Sequence, residues 1–113
     1  MSQELEDRFH NLGKRVRDFC RKVKWNIIIE YIRQLIRASS SVGANYIEAS
    51  DDLGKADEKM KIKTSRRETK ESIHFSNLIL TYENPELEKE RAELIDEAQQ
   101  IRRILSSIII KLG

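Results

Sequence analysis

The chain holds one cysteine, one proline and four glycines in 113 residues, and 6% of its residues are aromatic. A lone Cys20 excludes an internal disulfide and zinc sites built from cysteine pairs, and it suits a reducing, cytoplasmic setting. Few prolines and glycines leave few breaks, which favours long helices over short strands and turns. No apolar run approaches the roughly 20 residues that cross a bilayer, and no leader of basic, apolar and small residues opens the chain. Neither membrane insertion nor secretion is expected. A large excess of one charge sign is also missing: the net charge of +2 is too small to mark a nucleic-acid binder by itself.

Recognisable catalytic groupings are equally scarce. His10 and His74 have no histidine three or four residues away, and no Glu-x-x-His repeat of the di-metal bundle type occurs. Ser39, Ser40 and Ser41 lack a His and Asp arrangement and a glycine elbow to activate a nucleophile. Cys20 adjoins Phe19 and several basic residues, but its place at the edge of an apolar stripe reads as a small core residue. There is no phosphate-binding glycine loop and no dinucleotide fingerprint. The expectation is a protein without enzymatic activity, cofactor or metal.

What the chain has in quantity is charge, 35% of all residues, laid over a helical apolar rhythm. Leu5, Phe9, Leu12, Val16, Phe19 and Val23 step by four and three, with Ser2 as N-cap and Arg21, Lys22 and Lys24 at the C-terminal end. Trp25 and Asn26 form a short connection. Ile28, Ile32, Leu35, Ser39, Val42, Tyr46, Ala49 and Leu53 continue the rhythm to Gly54, a residue suited to closing a helix. Ile62, Thr69, Ile73, Ser76 and Leu80 make a less regular third stripe, with Met60, Phe75 and Leu78 on another side. Asn84-Pro85 caps a fourth helix carrying Leu87, Leu94, Ala98, Ile101, Leu105, Ile108 and Leu112, with Arg91 interrupting the seam. The expected helices cover about 3–24, 27–53, 57–82 and 85–112. Their short connections predict one all-α domain, an antiparallel up-down-up-down four-helix bundle about 35–40 Å long.

Some apolar residues exceed what one core can use. Ile27, Ile29, Tyr31 and Ile36 at the start of the second helix, and Ile109 and Ile110 near the C-terminus, point away from the seams. Extra apolar faces on a small protein indicate an interface, so these six residues are candidates for self-association. The middle of the second helix is a run of small residues, Ala38 to Ala44, which lets another backbone approach closely; a small-residue ligand pocket is the alternative.

Basic residues fall in two rows. Lys14, Arg17, Arg21 and Lys24 share one side of the first helix, and Lys59, Lys63, Arg66 and Lys70 share one side of the third. Such rows can bind backbone phosphates through charge and counterion release. The opposing reading is neutralisation by the acidic start of the fourth helix, where Glu83 to Glu97 holds seven acids against Lys89 and Arg91. No aromatic residues alternate with the basic ones to stack on bases.

The stretch from Arg37 to Ala49, Arg-Ala-Ser-Ser-Ser-Val-Gly-Ala-Asn-Tyr-Ile-Glu-Ala, resembles the signature of the four-helix bundle family named for proteins encoded in intervening sequences of bacterial 23S ribosomal RNA genes. Lys59-Met60-Lys61-Ile62 and Lys70-Glu71-Ser72 extend the likeness, while Ile73-His74-Phe75 stands where relatives often carry Tyr-Trp-Leu. The resemblance implies a bacterial, ring-like homopentamer with no established enzymatic activity. The chain is also similar to the accessory variability determinant of diversity-generating retroelements, which implies RNA or DNA and a nucleic-acid enzyme such as a reverse transcriptase as partners. On the matching positions, Gly43 and Ala44 are expected to permit close helix approach. Arg37, Ser41, Asn45, Tyr46 and Glu48 supply polar groups for bonds within the bundle or between subunits. The combined expectation is a homo-oligomer whose basic faces contact RNA or a nucleoprotein. Alternatives are a structural or protein-interaction module and, more weakly, a small-molecule-binding bundle.

Overall fold

The computed structural model describes residues 2–23, 29–51 and 53–113. It is all-α: α1 (Gln3–Lys22), α2 (Ile29–Glu48), α3 (Lys55–Leu78) and α4 (Pro85–Leu112), with no strand among the described residues. The four form a bundle measuring 46 × 21 × 20 Å. The expected connection at Trp25 and Asn26, the seam residue Ile28, the basic residue Lys24 and the interface candidate Ile27 lie outside the described residues.

Local chemistry sets most helix ends. Ser2 Oγ accepts the Leu5 amide at 3.2 Å, and Asn84 accepts the Glu86 and Leu87 amides at 3.0 and 3.1 Å, while Pro85 occupies a first-turn position where its missing N–H costs nothing. Two boundaries differ from expectation. The second helix stops at Glu48 rather than 53, because Ser50 and Asp51 turn the chain: Ser50 Oγ donates to the Ile47 carbonyl at 2.6 Å and the Asp51 amide to that of Glu48 at 3.1 Å. Leu53 is therefore 73% exposed rather than part of the seam. Gly54, at φ +104°, precedes α3 as its N-cap instead of closing α2.

The third helix begins at Lys55 and ends at Leu78, four residues short of the expected Tyr82. Its end is fixed from the neighbouring helix, since Arg91 of α4 donates to the Ile79 carbonyl and, at 3.5 Å, to that of Ser76. Arg91 thus interrupts the α4 seam in order to satisfy carbonyls that a helix end leaves without partners. Beyond it, Tyr82 and Glu83 take left-handed conformations at φ +54° and +61° and reverse the chain.

The core joins Phe9, Leu12, Val16 and Phe19 of α1, Ile32, Leu35, Val42 and Tyr46 of α2, and Leu94, Ile101 and Leu105 of α4. Each such side chain contributes roughly 1.5–3 kcal/mol by leaving water. The interior face of α3 is different, for between Ile62 and Ile79 it consists largely of Ser65, Thr69, Ser72 and Ser76. Three of the hydroxyls are satisfied by carbonyls: Ser65 Oγ donates across to Val42 at 2.7 Å, and Thr69 and Ser72 to Ser65 and Glu68, both at 2.9 Å. Small side chains, three of them bonded to carbonyls, let α3 sit close to its neighbours. The third stripe accordingly runs through Ile62, Ser65, Thr69, Ser72, Ser76 and Ile79. Ile73 is half-buried, and Leu80 is exposed where Ile79 takes the interior place.

The helices touch in a closed cycle: α1 with α2, α2 with α3, α3 with α4, and α4 with α1. Among the described residues no Cα of α1 lies within 8 Å of one in α3, nor one of α2 within 8 Å of one in α4, so these pairs stand diagonally across the core. This cycle decides where each surface row can point.

Candidate nucleic-acid interface

Lys14, Arg17 and Arg21 are exposed on α1. They face the α2 side, where Lys14 and Arg17 line a groove of about 420 Å³ with Gly13, Ile36 and Ser40, and Arg17 and Arg21 line a second with Cys20, Ile32 and Ile36. Two glycines lie where α1 and α2 run close together along this groove. A Cβ on Gly13 would lie 3.8 Å from the Ser40 Cα, and one on Gly43 would lie 3.5 Å from the Phe9 Cβ. Gly43 serves the close approach expected of it. Ala44, beside it, is exposed on the groove instead of packed. Gly13 escaped notice in the sequence, although a glycine inside an otherwise regular helix is the signal for such an approach.

The second row lies on α3. Lys63 and Lys70 are exposed, Lys59 and Arg66 half-buried, and Arg66 donates to Ser106 Oγ of α4 at 3.2 Å. The other flank of α3 is occupied by bonds to α2: Lys61 pairs with Glu48 at 3.0 Å, and Glu68 and Glu71 pair with Arg37 at 3.0 and 2.8 Å. The α3 row therefore faces the α3–α4 side while the α1 row faces the α1–α2 side. In a cycle of four helices these are opposite sides.

Six carboxylates among the described residues pair with bases outside the two rows, while Glu6 lines the groove of Lys14 and Arg17. Arg8 binds Glu97 with two donors at 2.9 and 2.8 Å and reaches Gln100 at 3.0 Å; Lys22 pairs with Glu90 at 3.2 Å and Arg91 with Glu88. The acidic start of α4 does answer helix 1, but through Arg8 and Lys22 on the α4 side. Among the described residues only Arg17 of the two rows has a carboxylate within ion-pair distance, its neighbour Asp18 at 3.1 Å.

The residues of the helix 2 motif are bonded within the subunit. Arg37 bridges Glu68 and Glu71, and the two carboxylates respond in opposite directions: burial, followed by Glu71, raises Glu68 above the usual glutamate range, whereas Arg37 holds Glu71 below it. Tyr46 is buried with its ring edge-on to Phe9, centroids 4.9 Å apart, and its hydroxyl accepts the Ser2 amide at 3.0 Å. Ser41 Oγ and Asn45 Nδ2 donate to carbonyls one turn earlier, those of Arg37 and Ser41, at 2.7 and 2.9 Å. Cys20 is buried, which pushes its thiol up to about 12 and keeps it un-ionised near neutrality.

The interface candidates divide. Tyr31 and Ile36 are each 40% exposed and Ile110 is 80% exposed, whereas Ile29 is half-buried. Ile109 is likewise half-buried and packs in part against the core. Leu78, Leu80 and Tyr82 near the α3–α4 turn, and Ile47, Leu53 and Met60 at the opposite end, are further exposed apolar side chains.

No family model matches the chain, and no match to it is found among curated proteins. Among solved structures, it is similar to a protein of unknown function from the S23 ribosomal protein family of Bacteroides thetaiotaomicron VPI-5482, with a TM-score of 0.77 and 21% identity over 92% of this chain and 96% of that one. At that identity the likeness is one of fold: the chain carries the four-helix architecture of an S23-family protein.

Proposed function

We propose that the chain is a non-enzymatic, cytoplasmic subunit that self-associates and contacts nucleic-acid backbones, RNA foremost, through the basic rows of α1 and α3. The observation carrying this reading is the state of the rows: Lys14, Arg21, Lys63 and Lys70 stand exposed with no carboxylate within 4 Å among the described residues, while six carboxylates pair with bases outside the rows. Backbone phosphates suit such residues because exposed lysine and arginine gain by releasing condensed counterions.

The subunit itself is an antiparallel up-down-up-down bundle on this reading. Arg37 with Glu68 and Glu48 with Lys61 run in opposite order along α2 and α3, as Lys22 with Glu90 and Arg8 with Glu97 do along α1 and α4. Exposed Tyr31 and Ile110 support self-association, while Ile36 lies in the grooves that carry Lys14, Arg17 and Arg21. The homopentamer, and a reverse transcriptase or similar enzyme as partner, rest on the resemblance of the helix 2 motif.

Electrophoretic retardation of RNA and DNA duplexes at low and moderate salt tests the reading. Retardation that weakens with salt and with Lys14→Glu, Arg21→Glu, Lys63→Glu and Lys70→Glu combined supports it. Unchanged mobility at low salt leaves the rival, a protein-interaction module with solvated basic rows.

A further inference from the structure

The two rows are not parts of one surface. Lys14, Arg17 and Arg21 lie on the α1–α2 side, while Arg66 reaches towards Ser106 on the α3–α4 side, and the helices carrying the rows stand diagonally across the core. A body about 20 Å thick separates them. Each row is itself a complete, short track, since residues 59 to 70 of a helix extend about 16 Å, over which a duplex presents roughly nine phosphate charges. Among the described residues the exposed tyrosines, Tyr31 and Tyr82, belong to α2 and to the α3–α4 turn, and the rings beside the rows are two single imidazoles, His10 in the α1–α2 groove and His74 one turn beyond Lys70. One imidazole beside each track is too little to stack a run of successive bases, so both tracks fit a phosphate backbone in duplex form.

From this placement we infer that one subunit is a two-sided bridge, holding a separate nucleic-acid duplex on each face. The inference rests on the nucleic-acid reading above and adds to it a geometry: two independent sites, with duplex backbone as the ligand class. A single composite site would need both rows on one side of the cycle, which the helix contacts forbid. Bridging gathers duplex segments, so the resulting activity is architectural.

The test uses the full chain, kept a single subunit in every sample by Tyr31→Glu with Ile110→Glu and checked by sedimentation, so that wild type refers here to the unaltered rows; it is mixed with a biotinylated RNA duplex on beads and a second, fluorescent RNA duplex in solution, with a DNA duplex pair run alongside. Two variants are compared with the wild-type chain: Lys14→Glu with Arg21→Glu, and Lys63→Glu with Lys70→Glu. All four positions are exposed and outside the ion pairs of the fold, and thermal unfolding checks that both variants remain folded. The wild-type chain captures the fluorescent duplex on the beads. Each variant keeps its binding of one duplex to within about tenfold, because one row remains, but loses bridging by at least about tenfold. Bridging that survives either double reversal, or single-duplex binding abolished by one of them, overturns the two-sided geometry while leaving nucleic-acid binding in place. A wild-type chain that binds no duplex at low salt overturns both readings.

Discussion

Gly43 of α2 lies against Phe9 of α1 at a separation where an added methyl would sit 3.5 Å from the Phe9 Cβ, an ordinary packing distance. Gly43→Ala should therefore be accommodated, and removing a glycine from a helix interior should leave stability unchanged or raise it by about 1 kcal/mol. Gly43→Leu must separate α1 from α2 and should cost about 1–3 kcal/mol. Urea unfolding of the two variants checks the pair; equal stabilities would mean that the helices do not approach here.

Arg37 is the partner that makes Glu68 tolerable in the interior. Arg37→Ala strands a carboxylate whose side chain is only 11% exposed and should destabilise by about 1–2 kcal/mol, a value kept low because Arg37 itself is 46% exposed. Adding Glu68→Gln to Arg37→Ala should recover part of the loss by removing the unpaired charge. A double variant no more stable than Arg37→Ala alone would contradict this.

Acid stability carries contributions of opposite sign. Arg91 and then Thr81 hold Glu88 below its ordinary value of 4.5, so its contribution is present above that value and is lost as pH falls through the lower folded value. Glu68 is raised, so its contribution is present in acid and is lost as pH rises through the folded value. Glu88→Gln should flatten the acid-side loss of stability and Glu68→Gln should steepen it. Unfolding midpoints measured between about pH 3 and 7 read both slopes.

Self-association should depend on the exposed apolar residues. Sedimentation of the wild-type chain should give a multiple of the 13.3 kDa subunit mass, and Tyr31→Glu with Ile110→Glu should lower it without reducing helicity, because neither residue is in the core. A wild-type chain sedimenting at 13.3 kDa removes this part of the account.

Regular four-three spacing made α1 and α4 legible in the sequence, together with Ser2, Asn84 and Pro85 at their starts, since those features act locally. The third stripe was harder to place because Ser65, Thr69, Ser72 and Ser76 fill interior positions that hydropathy assigns to the surface. Leu53 and Leu80 were misplaced for the converse reason: their apolar character suits the seam, but Ser50, Asp51 and the Arg91 bond to Ile79 end the helices before them. The basic rows could be read from spacing on each helix. Their opposite placement could not, because it follows from which helices touch, and that is set by long-range contacts such as Arg66 with Ser106 and Lys61 with Glu48.

The central claim is that exposed, unneutralised basic rows bind phosphate backbones. Fluorescence anisotropy of a labelled RNA duplex, titrated with the full chain between about 50 and 200 mM salt, measures it most directly. The account predicts an association constant falling with salt at a log-log slope near −3, as expected for about three or four phosphate contacts at one row. A flat salt dependence, or no anisotropy change at the lowest salt, would contradict it.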